Sequence, residues 1–339
     1  MTKRLSTMHK ESPLAIVYHW AKRGRQTSLR GFDLSNTELL GVDLRSADLQ
    51  QARFVNAQLN GAKLARASLH GADFRNAHLQ WASFVETIGP QACFRNADLT
   101  DVAFHQSEFA GADFQGANLT NAQFIETDLR GAILTSAQLS NANLSHALLQ
   151  GVALQFANLA GAWLKEADLT GANLTNADLR KAHLRETNLA GLCLVNVNLT
   201  GARLSGGYCQ QSDLRGANLS NTNLSQIDLR GAILIKANLM KARLHDAKLT
   251  DADCVEANLI GADLRGADLR KANLTGARLT GAKAREASLT SANLSGADLR
   301  GADLQGADLI NADLRHADLT NARLENTDLT GARLDRAAL

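Results

Sequence analysis

Proline is nearly absent, with only Pro13 and Pro90 in 339 residues, and aromatic side chains make up 4 %. A core built around large rings is therefore excluded for most of the chain. The 45 % hydrophobic content has to come mainly from Leu and Ala. No apolar run approaches the ~20 residues that cross a bilayer as a helix. The stretch Leu14-Ala15-Ile16-Val17-Tyr18 is broken too soon by His19 and Lys22 to make a signal peptide. The four cysteines, Cys93, Cys193, Cys209 and Cys254, share no CxxC spacing. That spacing excludes a zinc ribbon or a disulfide framework and points to reduced thiols in the cytoplasm. A large charge of one sign is missing too, because the net charge is +2. The balance is uneven: residues 1–30 carry seven Lys/Arg against one Glu, and the 29 basic and 33 acidic residues of 31–339 leave that body at −4.

What is present is a period of five. From Leu34 to Leu339 every fifth position is Leu or Phe in 58 of 62 cases, the exceptions being Gly89, Cys209, Cys254 and Ala284. The last digit of a residue number therefore gives its role. Numbers ending in 4 or 9 are core positions, and those ending in 2 or 7 carry a small residue, usually Ala. Numbers ending in 3 or 8, between them, are usually polar. Five residues at about 100° each place successive Leu roughly 140° apart on a helix, which makes no stripe. A continuous strand fails as well, because an odd period changes face at every step. A short extended stretch does fit: the small and core residues, two apart, point inward and the residue between them points out. The remaining two residues turn the chain. Of 26 glycines, 23 fall at the second turn position and Asn takes it twelve more times. Both residue types tolerate the positive φ that the third residue of a type II turn requires.

The phenylalanines report how many turns close a coil. Phe54, Phe74, Phe94 and Phe114 are twenty apart, and so are Phe84, Phe104 and Phe124. Four pentads per coil would stack each set into a ladder on one of two opposite walls. Stretches such as Ala172-Asn173-Leu174-Thr175-Asn176-Ala177-Asp178-Leu179-Arg180 make the chain similar to the pentapeptide-repeat family, whose consensus is A(D/N)LXX. The resemblance covers about nine tenths of the chain. It implies an all-β solenoid, a right-handed quadrilateral parallel β-helix with Leu/Phe and Ala inside. Sixty-two pentads predict about 15 coils and, at about 4.8 Å per coil, a rod ~75 Å long.

The domain organisation predicted is a basic segment over 1–28 followed by a repeat β-helix over 29–339. Ser12-Pro13 reads as a helix start and Gly24 as its stop. This predicts a capping helix over about 13–23 that buries some of Leu14, Val17, Trp20 and Ala21 on the first coil. No such signal closes the other end. Family members that dimerise do so end to end at their C-terminal coils, so the resemblance implies a homodimer through the last coils, with Leu334 and Leu339 at the contact. Two irregularities interrupt the pattern, Ile88-Gly89-Pro90 and Gly206-Gly207-Tyr208 followed by Cys209. The phase survives the first, which predicts a local bulge there and not an inserted loop. Both read as local wear in a long repeat, with a recognition feature as the alternative.

No constellation for catalysis emerges. The histidines are scattered, no phosphate-binding loop or dinucleotide fingerprint occurs, and no cofactor or metal is implied. Asp298, Asp303, Asp308, Asp313 and Asp318 sit at outward positions with Arg300 and Arg315 beside them. They read as solvated carboxylates with local backbone hydrogen bonds. Arg alternates with Asp on every face, which predicts a mixed surface and no direct nucleic-acid binding. Trp81, Phe156 and Trp163 lie at outward or corner positions and are candidates for an interaction surface. The reading is a non-catalytic bacterial scaffold that presents its surface to a protein partner of unknown identity. The alternative is a DNA mimic that binds gyrase, as quinolone-resistance members of the family do. The low charge density of the body departs from DNA and disfavours it.

Overall fold

Each pentad builds one short extended segment and one corner, and the corner is where the sequence spends its glycines. The computed structural model describes residues 15, 17, 18, 20, 28–185 and 187–339. They fall into two compact units, Met1–Asn158 and Leu159–Leu339. Within each unit the outward residues pair in parallel with those twenty further on, as in Asp33↔Arg53↔Asp73 and Asn198↔Asn218↔Asn238. A coil therefore closes after four pentads. The core Leu and Phe and the small Ala line the inside of a four-walled tube, almost all fully buried.

The backbone hydrogen bonds of one pentad explain its grammar. The core N–H donates to the carbonyl of an outward residue in the next coil, as Leu59 to His78 at 2.7 Å. The outward N–H donates back to the previous coil, as Gln58 to Thr37 at 2.8 Å. The second turn residue donates forward, as Asn56 to Arg75 at 3.0 Å, and the small residue closes the corner, as Ala57 to Phe54 at 3.0 Å. Only the first turn residue lacks a backbone acceptor. Its N–H goes to the side chain two residues back, as Ser35 to Oδ1 of Asp33 at 3.0 Å or Thr170 to Oδ1 of Asp168 at 3.0 Å. Asp and Asn are thus favoured outside because they satisfy the fifth donor of the pentad. The second turn residue holds φ near +60° whatever its type, from Gly301 at 62° to Trp81 and Phe156 at 59°. These are the left-handed values that the glycine pattern predicts.

The seven ladder phenylalanines stack as expected. Phe54, Phe74, Phe94 and Phe114 lie parallel with centroids 4.7–4.9 Å apart, and Phe104 stacks on Phe124 at 4.7 Å. The two ladders meet edge to face, as Phe74 and Phe84 do at 6.0 Å. Threonines at small positions hide their hydroxyls on carbonyls of the previous coil, as Thr127 does on Phe104 at 2.7 Å.

The bulge expected at Ile88-Gly89-Pro90 is absent. Gly89 still donates to Glu108 at 2.7 Å, and Pro90 still accepts from Gly71 at 3.1 Å. Pro90 occupies the one position of the pentad whose N–H has no backbone acceptor, and it favours the second residue of a type II turn. Gly89 leaves its core position empty, and Phe109, one coil on, fills it. A Cβ on Gly89 would overlap Cε1 of that ring and stand 2.9 Å from Cδ1. Phe109 packs edge to face on Phe94 and Phe104, and so ties the two ladders together. At the second irregularity Cys209 donates to Asp228 at 2.7 Å and Gly207 to Leu204 at 3.0 Å, again in register.

Near the N-terminus Ala15, Val17, Tyr18 and Trp20 are helical, with Val17 and Trp20 buried and Tyr18 exposed. The rest of the 13–23 helix, including Leu14 and Ala21, lies outside the described residues. No helix of the described residues is long and apolar enough to cross a membrane.

Candidate functional site

The walls are chemically quiet because their charges consume one another. In pentads that read Asp-Leu-Arg, the arginine at the first turn position folds back on the aspartate two residues before it. Arg130 reaches Asp128, Arg270 reaches Asp268 and Arg300 reaches Asp298, each at 2.7 Å. The guanidinium hydrogen bond holds the carboxyls of Asp128, Asp213, Asp263, Asp268, Asp298 and Asp313 below their ordinary value. Such pairs are open to water, so each adds little to stability. Among the described residues no group of His, Cys, Asp or Glu is placed to hold a metal ion. Cys209 and Cys254 are buried, and desolvation pushes both thiols up to about 12, which leaves them without nucleophilic character.

The five residues singled out from the sequence are divided between the two units. Trp81 and Phe156 stand at two different corners of the first unit, 66 % and 61 % exposed. Both hold the left-handed conformation that bulky residues avoid. Trp163 is half-exposed on a wall of the second unit and stacks on His183, centroids 4.0 Å apart and planes 6° from parallel. Burial, and then the charge of Arg203, lower the pKa of His183, so the ring is neutral at neutral pH. Leu334 and Leu339 belong to the last coil, where Leu334 is partly covered and Leu339 is 74 % exposed.

Reading the faces by overall composition missed one local feature. The column Trp163, His183, Arg203, Asn223, Arg243 carries no carboxylate at its outward positions. A shallow groove of about 440 Å³ lies beside it, lined by Arg185, Arg203, Arg243, Ser205, Asn221 and Asn223 among others. Listing outward residues in steps of twenty would have revealed it. A second feature is internal: a small apolar void of about 10 Å³ surrounded by Leu189, Leu204, Cys209, Leu229 and neighbours. It arises where Cys209 replaces a longer Leu.

The family model for pentapeptide repeats matches residues 25–88, 97–206 and 212–339. The short stretches it leaves out, 89–96 and 207–211, begin with Gly89-Pro90 and Gly207-Tyr208-Cys209. No curated protein matches the chain. Among solved structures, a pentapeptide repeat protein of the Arabidopsis thaliana thylakoid lumen is 36 % identical over 29 % of this chain and 68 % of its own, with a TM-score of 0.28. HetL, a pentapeptide repeat protein involved in heterocyst differentiation regulation in the cyanobacterium Nostoc sp., is 28 % identical over 92 % of this chain and 94 % of its own, with a TM-score of 0.16. QnrB1, a plasmid-mediated fluoroquinolone resistance protein, is 20 % identical over 57 % of this chain and 90 % of its own, with a TM-score of 0.31. The superpositions are too low to carry an argument, so the assignment rests on the repeat itself. With a five-residue grammar over nearly its whole length and coils that close every twenty residues, the chain belongs to the pentapeptide-repeat family, whose members are right-handed β-helical proteins of structural and interaction roles.

Proposed function

We propose that this protein is a non-catalytic interaction protein that acts in a reducing cytoplasm and presents its β-helical walls and corners to a protein partner. The observation that carries the reading is the placement of Trp81 and Phe156. Each is a large aromatic side chain held out in water at a corner whose backbone costs a bulky residue about 1 kcal/mol more than glycine. Neither side chain gains burial in the fold to offset that strain, and strained exposed aromatics mark contact surfaces. About 15 coils, covered at the start by the helix that buries Val17 and Trp20, make the scaffold. A two-fold contact with a second copy through Leu334 and the 74 % exposed Leu339 is part of the same proposal. Light scattering that finds only monomer at micromolar concentration removes that contact from the proposal.

The test of the main reading is capture of partners from native extract by the tagged protein. A specific partner that is recovered by the parent and lost with Trp81→Ala, Phe156→Ala or Trp163→Ala supports it. Recovery of none under gentle conditions counts against it. The DNA-mimic alternative has less to work with, because several wall carboxylates are paired with their own arginines. Unchanged gyrase supercoiling at micromolar protein disposes of it.

A further inference from the structure

The Asp-Leu-Arg grammar predicts where arginines are free. A first-turn arginine is consumed when an aspartate stands two residues before it, and an outward arginine has no such partner in its own pentad. His183-Leu184-Arg185, Arg203-Leu204-Ser205 and Arg243-Leu244-His245 all break the rule on one wall of the second unit. Among the described residues none of these three arginines has an ion-pair partner. Asp263, bridged to Arg243, is already engaged by Arg265 at 2.6 Å. Glu186, beside Arg185 in sequence, lies outside the described residues. Three uncommitted guanidinium groups thus share one groove with the polar side chains of Ser205, Asn221 and Asn223. The Trp163–His183 stack stands at its upper end, since His183 is bridged to both Trp163 and Arg203.

We propose that this groove is a docking site for a short acidic segment of a protein partner; the proposal rests on the interaction reading above and names the surface and the chemistry it recognises. Guanidinium groups favour carboxylates through paired, charge-assisted hydrogen bonds, and free ones in a groove offer them without breaking an existing pair. The size of the patch selects the partner. Arg203 and Arg243 are two coils apart, about 10 Å, which three residues of extended chain span. One coil beyond Arg243 stands Asp263. A carboxylate pair two residues apart, on one face of an extended segment and about 7 Å apart, lies within reach of the long Arg203 and Arg243 side chains, with an aromatic or proline residue against the exposed Trp163. A single-stranded nucleic acid, with its phosphates in an unbroken row, would run on into the acidic part of the wall.

The test is fluorescence anisotropy with a fluorescein-labelled hexaglutamate peptide, and with labelled oligothymidylate in parallel. The expected result is salt-sensitive binding of the peptide that weakens at least tenfold in Arg203→Gln/Arg243→Gln. It should be unchanged in Arg270→Gln/Arg300→Gln, where the arginines removed are already paired. Circular dichroism of both variants confirms the fold, which the exposed positions leave intact. Peptide binding that is absent at millimolar concentration, or equal in the parent and in Arg203→Gln/Arg243→Gln, overturns the proposal. Tighter binding of oligothymidylate than of the peptide overturns it as well. A partner captured equally by the parent and by Arg203→Gln/Arg243→Gln leaves the interaction reading standing and removes only this groove.

Discussion

The two units solve the same packing problem in opposite ways. In the first, a core position is vacated entirely at Gly89, and Phe109 fills the space from one coil away while bridging two phenylalanine ladders. In the second, the shortened Cys209 leaves a void of about 10 Å³ among leucines. A stacked aromatic core accepts one more ring because edge-to-face geometry absorbs it, whereas branched aliphatic side chains in near-identical layers do not slide into a gap. The glycine is therefore a designed socket, and the cysteine a defect that the leucines around it only partly close.

The largest way to break this contrast is Phe109→Ala. With glycine already at the same position one coil back, no side chain remains to collapse into the space, and we expect a loss of about 3–5 kcal/mol in denaturant unfolding. Gly89→Ala drives a methyl into the same ring and should cost about 1–3 kcal/mol. Restoring the consensus pair with Gly89→Leu/Phe109→Leu should recover more than either single change predicts. Simple additivity would mean that the two residues are not a socket and its plug. In the second unit Cys209→Leu fills the void and should raise stability by about 1 kcal/mol, while a loss would show that the wall there is already full. Smaller again is Trp81→Asn, which relieves a left-handed conformation and should gain up to about 1 kcal/mol in thermal melts.

Acid titration sharpens the comparison at the surface. Aspartates such as Asp213, Asp263 and Asp313 have pKa values lowered in the fold by their arginines. Their contribution is fully present above the unfolded value of about 4 and is lost as pH falls below it. His183 works in the same direction at higher pH. Its pKa is lowered in the fold, so unfolding binds a proton and stability declines as pH drops through about 6.5. The His183 effect should vanish in His183→Gln, and the deeper acid loss should not.

Much of the fold was legible because each pentad is governed by local rules. Positive φ at the second turn position, alternation in the extended stretch and ladders at twenty-residue spacing all follow from residue types alone, and Phe54 to Phe114 stack as their spacing says. What was misread required looking one coil away. Gly89 taken by itself suggests a bulge, and only its alignment with Phe109 shows that the space is filled. The free arginines escaped notice because Arg and Asp are mixed on every face in bulk, while Arg185, Arg203 and Arg243 gather on one column. The partner was not legible, since its identity resides in another molecule; the wall records only the chemistry it would accept.

The central claim is that residues twenty apart are lateral neighbours, and Cys93 offers a direct test. It is bridged in parallel to Asp113, so Asp113→Cys places two cysteines about 4.8 Å apart on one wall, within disulfide range. Controls place the second cysteine at Glu108 or at Asn118, on neighbouring walls. Mild oxidation followed by non-reducing peptide mapping should give the 93–113 cross-link in high yield and neither control. Preferential linkage to position 108 or 118 would mean that a coil does not close at twenty residues.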